Sequence, residues 1–341
     1  MLLKMGDTLT DSIPPIAHFV WFGRSFPWLN WLAVRSAADR GGYEQVILHH
    51  ADDLSGAQYF VDLLRTPRVK CVHLDYLELV DRVIGVAPRI VEVAKWAADR
   101  PAMQSDLARM ALLWIYGGVY LDVDTVTVAP LDALRAAGGV FCGRERLVWP
   151  GVVRASRNPL VFGAAVLRSV TRDLLRRHPR GWRHFRRIEH WFPTAANGAV
   201  LGAAPGHPFL AELLGRAGAL RPEDLVRSRN ALGPELLQDA LRGAGAAAAT
   251  DIRVLPPEVF FPLGPEISEH WFRVHPPGKR PRLEEVLYPD TRVVHWYGSV
   301  RAREIMRVFD ARYVRAHRDR QLLAELAAPW ANPGGEDSAP A

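Results

Sequence analysis

The order of apolar and polar positions divides the first 130 residues into short elements. "IAHFVWFG" (16–23) is apolar, rich in strand formers and closed by Gly23, which predicts a buried strand. "WLNWLAVRSAADR" (28–40) spaces its apolar residues as a helix does and stops at Gly41-Gly42. "EQVILHHA" (44–51) predicts a second strand, "AQYFVDLLR" (57–65) a helix and "VKCVHLD" (69–75) a third strand. Strands and helices alternating across short connections predict an α/β fold, a parallel sheet with helices on both faces. Two more helices follow, "RIVEVAKWAADR" (89–100) and "AMQSDLARMALLWIYGG" (102–118). The second begins after Pro101 and ends at a glycine pair. "VYLDVDTVTV" (119–128) then reads as one further strand.

Past residue 150 the pattern loosens, and arginine, proline and glycine become frequent. Helices are expected over 208–220 and within "GPELLQDALRGAG", with late strands in "IRVLPPEVFFPL" and "RVVHWYGS". The expected organisation is a tail over 1–15 and one domain over 16–330, with halves 16–150 and 151–330. A second tail over 331–341 is disordered on composition. No internal repeat is visible.

Composition narrows this picture. A chain of 341 residues, 49% hydrophobic, can bury a large core. Two cysteines, Cys71 and Cys142, make no disulfide framework and fit a reducing, cytoplasmic setting. The opening "MLLKMGDTLTDSIPP" lacks an apolar leader core, and no run of eighteen apolar residues occurs. A net charge of +6 suits an anionic ligand, an anionic lipid surface or nucleic acid. Arg168, Arg172 and Arg176 lie at i, i+4 spacing and predict one basic helix face. Through this Arg168–Arg187 region the chain would touch a membrane or RNA, unless the face is simply solvated. No nucleic-acid module is recognisable, so DNA is not expected as a partner, and no glycine-rich phosphate loop is present.

The chemistry concentrates in "GGVYLDVDTV" (117–126). If this is strand, Tyr120, Asp122 and Asp124 share a face, and two like charges there repel. Water can hold them, a cation can bridge them, or one can be protonated. One helix earlier, Asp106 and Arg109 are three apart and share a helix face, while Leu107, Met110, Ala111 and Trp114 form an apolar stripe. A carboxylate beside a guanidinium suits the hydroxyls of a sugar, although the same pair also serves as an ordinary ion pair.

"SDLARMALLWIYGGVYLDVDT" resembles the signature of the DXD-containing sugar transferases. These include fungal initiating α-1,6-mannosyltransferases, bacterial capsular sugar transferases and clostridial toxin glucosyltransferase domains. "IPPIAHFVWFG", "NGAVLGAAPGHPFL" and "VVHWYGS" resemble three further islands of that family, with Pro15 and Val300 departing from its pattern. The resemblance implies a glycosyltransferase A-type, Rossmann-like nucleotide-binding sheet with added helices. It implies an enzyme that moves a hexose, with retention, from a UDP- or GDP-sugar to an unidentified glycan, lipid-linked, small-molecule or protein acceptor. It further implies Mn²⁺ or Mg²⁺ held by Asp124 directly, with Asp122 and His295 beside it. Trp21, Ser105, Asp106, Arg109, Tyr120, Asp122, Asn197 and Ser299 would bind the donor, and Asp106, Arg109, Asp122 and Asp124 would form the catalytic set. Two other readings stand beside it: a non-catalytic sugar-nucleotide or glycan binder, and a basic membrane-surface or nucleic-acid adaptor.

Overall fold

The computed structural model describes residues 12–228, 230–243, 251–298 and 305–331. The expected first half is present: β1 (Ile16–Trp21), α1 (Trp28–Arg40), β2 (Gln45–His50), α2 (Gln58–Leu63) and β3 (Val69–His73) follow in order. A short helix not foreseen, α3 (Tyr76–Asp81), comes next, capped by Asp75, whose carboxylate accepts from the Glu78 N–H. Then come α4 (Ile90–Trp96), α5 (Pro101–Tyr116) and β4 (Gly118–Leu121).

The strand expected over 119–128 divides. β4 ends at Leu121, residues 122–124 turn, and β5 (Thr125–Thr127) pairs with a strand of another sheet, β9 (Val293–His295). The two aspartates therefore do not share one strand face. They occupy the turn between two sheets, pinned from below by Asn30, whose side-chain amide donates to the Val123 carbonyl at 3.0 Å.

After β5 the chain forms α6 (Asp132–Ala136), β6 (Val140–Arg146), α7 (Gly151–Arg154), α8 (Pro159–Arg177) and α9 (Gly181–Ile188). It returns through β7 (Thr194–Ala203), α10 (Pro208–Gly218), α11 (Pro222–Arg227), α12 (Pro234–Gly243) and β8 (Ile252–Leu255). The main sheet has seven strands in the order β3-β2-β1-β4-β7-β6-β8. It is mixed rather than wholly parallel, because β7 runs antiparallel to both β4 and β6. Helices cover both faces as expected. Val119 and Leu121 point into one apolar core with α1, while Tyr120 points into the other with α3, α4, α5, α10 and α12. This is the period-two alternation of a strand buried on both sides.

The glycines after α5 set how closely helix and sheet approach. Gly117 and Gly118 have φ of 64° and 100°, which side chains disfavour. A Cβ on Gly118 would lie 2.5 Å from the Ile16 carbonyl oxygen of the neighbouring strand. The glycine pair thus lets α5 reverse directly into the middle of the sheet.

The basic face expected on α8 is not a free one. Arg172 bonds Glu266 at 3.0 Å and Asp173 at 2.9 Å, and Arg176 bonds Glu269 at 2.9 Å and the Glu266 carbonyl at 2.7 Å. The arginines do share one helix face, but Glu266 and Glu269, some ninety residues later, turn that face inward. Ser299, most of the tail over 1–15 and all but Ala331 of the tail over 331–341 lie outside the described residues.

Candidate active site

Four parallel strands, β1 to β4, end at one edge of the sheet, and the Asp122–Asp124 turn stands there. Ligands of α/β sheets gather at this carboxyl edge. Beside it lies a cavity of about 560 Å³ lined by Phe22, Asp52, His73, Asp75, Tyr76 and Gln104 among others. Most of these residues follow directly on the ends of β1, β2 and β3, and Gln104 belongs to the first turn of α5.

Two linked clusters form the site. In the first, Arg109 is the hub. Its Nη2 lies 2.9 Å from Asp106 Oδ1 and 3.1 Å from Asp122 Oδ1, and its Nη1 donates to the Gly198 carbonyl at 2.6 Å. The guanidinium stacks 4.5 Å over the Tyr120 ring. Burial works against its charge, but Asp122, Tyr120 and Asp106 together hold its pKa above the usual arginine value. Burial raises the pKa of Asp106 to about 6, opposed by Arg109 and reinforced by the charge of Asp122.

In the second cluster, His295 at the end of β9 places Nε2 2.9 Å from Asp124 Oδ1, and the Gly298 N–H donates to Asp124 Oδ2 at 2.7 Å. Burial opposes the charge of Asp124, yet His295 and the Gly298 N–H outweigh it and keep the carboxyl below its ordinary range. The same contact raises the pKa of His295 against its own burial. Tyr297, at the positive φ of 60°, donates its hydroxyl to Glu145 Oε2 at 2.8 Å and packs its ring against His295. Burial raises the pKa of Glu145.

The side-chain donors of Asp122, Asp124 and His295 lie within 4.8 Å of one another, close enough to converge on one ion. Two carboxylates and an imidazole suit a divalent ion that accepts both oxygen and nitrogen. A cation there would take the place of the direct Asp124–His295 contact. The donor set fits.

The structure brings together Asp106, Arg109, Tyr120, Asp122, Asp124 and His295. Asn197 is close by: it is buried in β7, and its Oδ1 accepts from the Ala199 N–H at 2.7 Å. Ser105 meets Arg109 through its backbone, its carbonyl accepting from Nε at 3.4 Å. Trp21 stands apart. Its ring meets Phe26 edge-on, its Nε1 donates to the Gly23 carbonyl at 3.0 Å, and it does not line the cavity, whereas its neighbour Phe22 does.

Other contributors escaped the sequence. β7 carries a bulge opposite Cys142 and Gly143, where the register jumps from Leu201 to Asn197. The displaced carbonyls of Gly198 and Ala199 accept from Arg109 and from the Asp122 N–H, the latter at 2.8 Å. Backbone acceptors leave no residue signature beyond the glycine itself.

Residues 42–139 match the family described as glycosyltransferase sugar-binding region containing DXD motif. By this match the chain is a glycosyltransferase. The matched region, which spans Ser105 to Asp124, is that of the DXD-containing sugar transferases that the sequence resembles. No curated protein matches the chain. Similar solved structures include the PaToxG glycosyltransferase, at 16% identity over 70% of this chain and 74% of that one, TM-score 0.42. Another is the UDP-bound glycosyltransferase domain of the YGT toxin, at 12% identity over 72% and 80%, TM-score 0.40. A third is apo mouse xyloside xylosyltransferase 1, at 13% over 82% and 96%, TM-score 0.41. Likeness at this level assigns no residue a role.

Proposed function

We propose that the protein is a metal-dependent, retaining hexosyltransferase that uses a nucleotide diphosphate sugar. One observation carries the reading: the Asp106–Arg109–Asp122 cluster and the Asp124–His295 pair meet at one sheet edge, beside a cavity large enough for a nucleoside. In this reading the nucleoside lies in the cavity, with Phe22 and Tyr76 against the base and Asp52 or Asp75 on ribose hydroxyls. Asp122, Asp124 and His295 hold the ion, and their mixed oxygen and nitrogen donors favour Mn²⁺ over Mg²⁺. When bound, it acts as a Lewis acid on the departing diphosphate. Asp106 accepts from sugar hydroxyls, and Arg109 orients Asp106 and Asp122 toward both ligands. Retention is carried over from the family resemblance, as is the hexose. Both described cysteines are free, which agrees with work in the cytoplasm.

The test is a hydrolysis screen of UDP- and GDP-sugars with Mn²⁺, with Mg²⁺ and after chelation. One donor should be turned over, Mn²⁺ should serve better than Mg²⁺, and Asp124→Asn should lose the activity while still unfolding cooperatively, at a somewhat lower temperature because the charged contact to His295 is lost. Wild-type turnover by Asp124→Asn, or turnover unchanged by chelation, would overturn the metal assignment.

A further inference from the structure

Helix α8 carries apolar residues on its solvent side as well as on its protein side. Its protein side mixes apolar and polar residues: Ala165 is buried, Val161 and Leu175 pack on the core, Ser169 accepts from the Trp149 indole at 3.0 Å, and Arg172 and Arg176 are tied to Glu266 and Glu269. Its solvent side is apolar. Leu160, Phe162, Val166, Leu167, Val170 and Leu174 are all exposed, with Leu160, Leu167 and Leu174 at 79%, 67% and 62%. Leu160, Leu167, Val170 and Leu174 follow helical spacing, so they form one stripe along the axis. The ion pairs beneath fix the rotation of the helix, so the stripe cannot turn inward. An exposed apolar stripe of this length marks a contact surface.

Charge selects the occupant. Arg157 before the stripe and Arg177 after it are exposed, as are Arg180 and Arg187 in and before α9, which packs against α8. The acidic residue on this helix, Asp173, is held by Arg172. Two copies of α8 facing each other, parallel or antiparallel, would set arginine-bearing ends against arginine-bearing ends, which disfavours a second copy of this chain. An apolar stripe ringed by arginine is complementary to an anionic lipid surface, where the apolar residues enter the acyl boundary and the guanidiniums meet the headgroups.

We infer that α8 docks this enzyme on anionic membranes. The excursion from 147 to 193 leaves the sheet after β6, which runs parallel to β4 through the intervening antiparallel β7. It therefore rises from the same edge that carries the Asp122–Asp124 turn. Docking holds that edge at the bilayer, which fits an acceptor anchored in lipid. This last step rests on the transferase reading, whereas docking itself does not.

Flotation of the full chain with vesicles tests it. Vesicles of phosphatidylcholine with phosphatidylglycerol should bind the chain, and vesicles of phosphatidylcholine alone should bind it much less. Arg180→Ser with Arg187→Ser should weaken binding roughly 25-fold, at about fivefold per arginine near an anionic surface. Leu167→Gln with Leu174→Gln should weaken it by at least roughly 100-fold, since each buried leucine contributes at least about tenfold. These side chains are exposed, so the melting profile of both variants should stay wild-type. Asp124→Asn should float as wild type does, which separates this test from that of the donor site. Equal binding to both vesicles, equal binding by the leucine variant, or a dimer in sedimentation velocity that the leucine variant dissolves would each overturn the inference.

Discussion

Asp106→Asn separates what the fold needs from what the sugar site needs. Asp106 is 7% exposed and sealed under Gly233, where a Cβ would lie 2.6 Å from its Oδ2. Even with Arg109 2.9 Å away, burial raises its pKa from 3.8 to about 6. That shift of about 2 units, at about 1.4 kcal/mol per unit, makes ionising Asp106 about 3 kcal/mol harder in the folded chain than in the unfolded one. An acid whose folded pKa is raised contributes stability that is present below 3.8 and lost as pH rises through about 6. Asparagine stands in for the protonated carboxyl and does not titrate.

The variant should therefore match wild type near pH 4 and exceed it at pH 8, by up to about 3 kcal/mol. The figure is a ceiling, because Arg109 loses one charged partner while keeping Asp122 at 3.1 Å and the Gly198 carbonyl at 2.6 Å. Urea denaturation without donor at several pH values between 4 and 8 reads the stability. Donor hydrolysis reads the function, which should fall about 100-fold as a charge-assisted acceptor for sugar hydroxyls is lost. Greater stability with less activity would mark Asp106 as a charge kept for a ligand. A variant that is less stable by the same margin at every pH would refute the reasoning and make Asp106–Arg109 an ordinary structural ion pair.

Two further changes probe the Asp124 cluster. Gly298→Ala would place a Cβ 2.7 Å from the buried Trp296 ring and 3.2 Å from Asp124 Cβ. The backbone at 298 should lift off Asp124 and its 2.7 Å bond should be lost, weakening Mn²⁺ binding by about 10-fold to 100-fold in a titration followed by Mn²⁺ relaxation. Tyr297→Phe removes the hydroxyl that donates to Glu145 at 2.8 Å, and should lower stability by about 1–3 kcal/mol. The pKa of Glu145, already raised by burial, would rise further, so the deficit should widen from pH 5 to pH 8 in thermal melts.

How much of this was legible in the sequence depends on how local the cause is. Gly41-Gly42 ended α1 where the pattern said, and Pro101 and Gly117 bracket α5 for the same reason: each acts through its own φ and its own missing or extra atoms. Asp75 does the same for α3, as a cap that acts within its own first turn. The break after Leu121 is different. "VYLDVDTVTV" alternates as a strand throughout, and what divides it is β9, about 170 residues later, which takes Thr125–Thr127 as its partner. The inward turn of Arg172 and Arg176 has the same origin, since only Glu266 and Glu269 decide which side of α8 faces the protein. The expected repulsion of the two aspartates on one strand face came from that missing long-range partner. Once the strand stops at Leu121, the turn can present Asp122 to Arg109 and Asp124 to His295, so each carboxylate has its own partner rather than being forced with the other onto one face. The residue types of a site survive in sequence because chemistry demands them there. Their division of labour does not, because it is set by which distant strand arrives beside them.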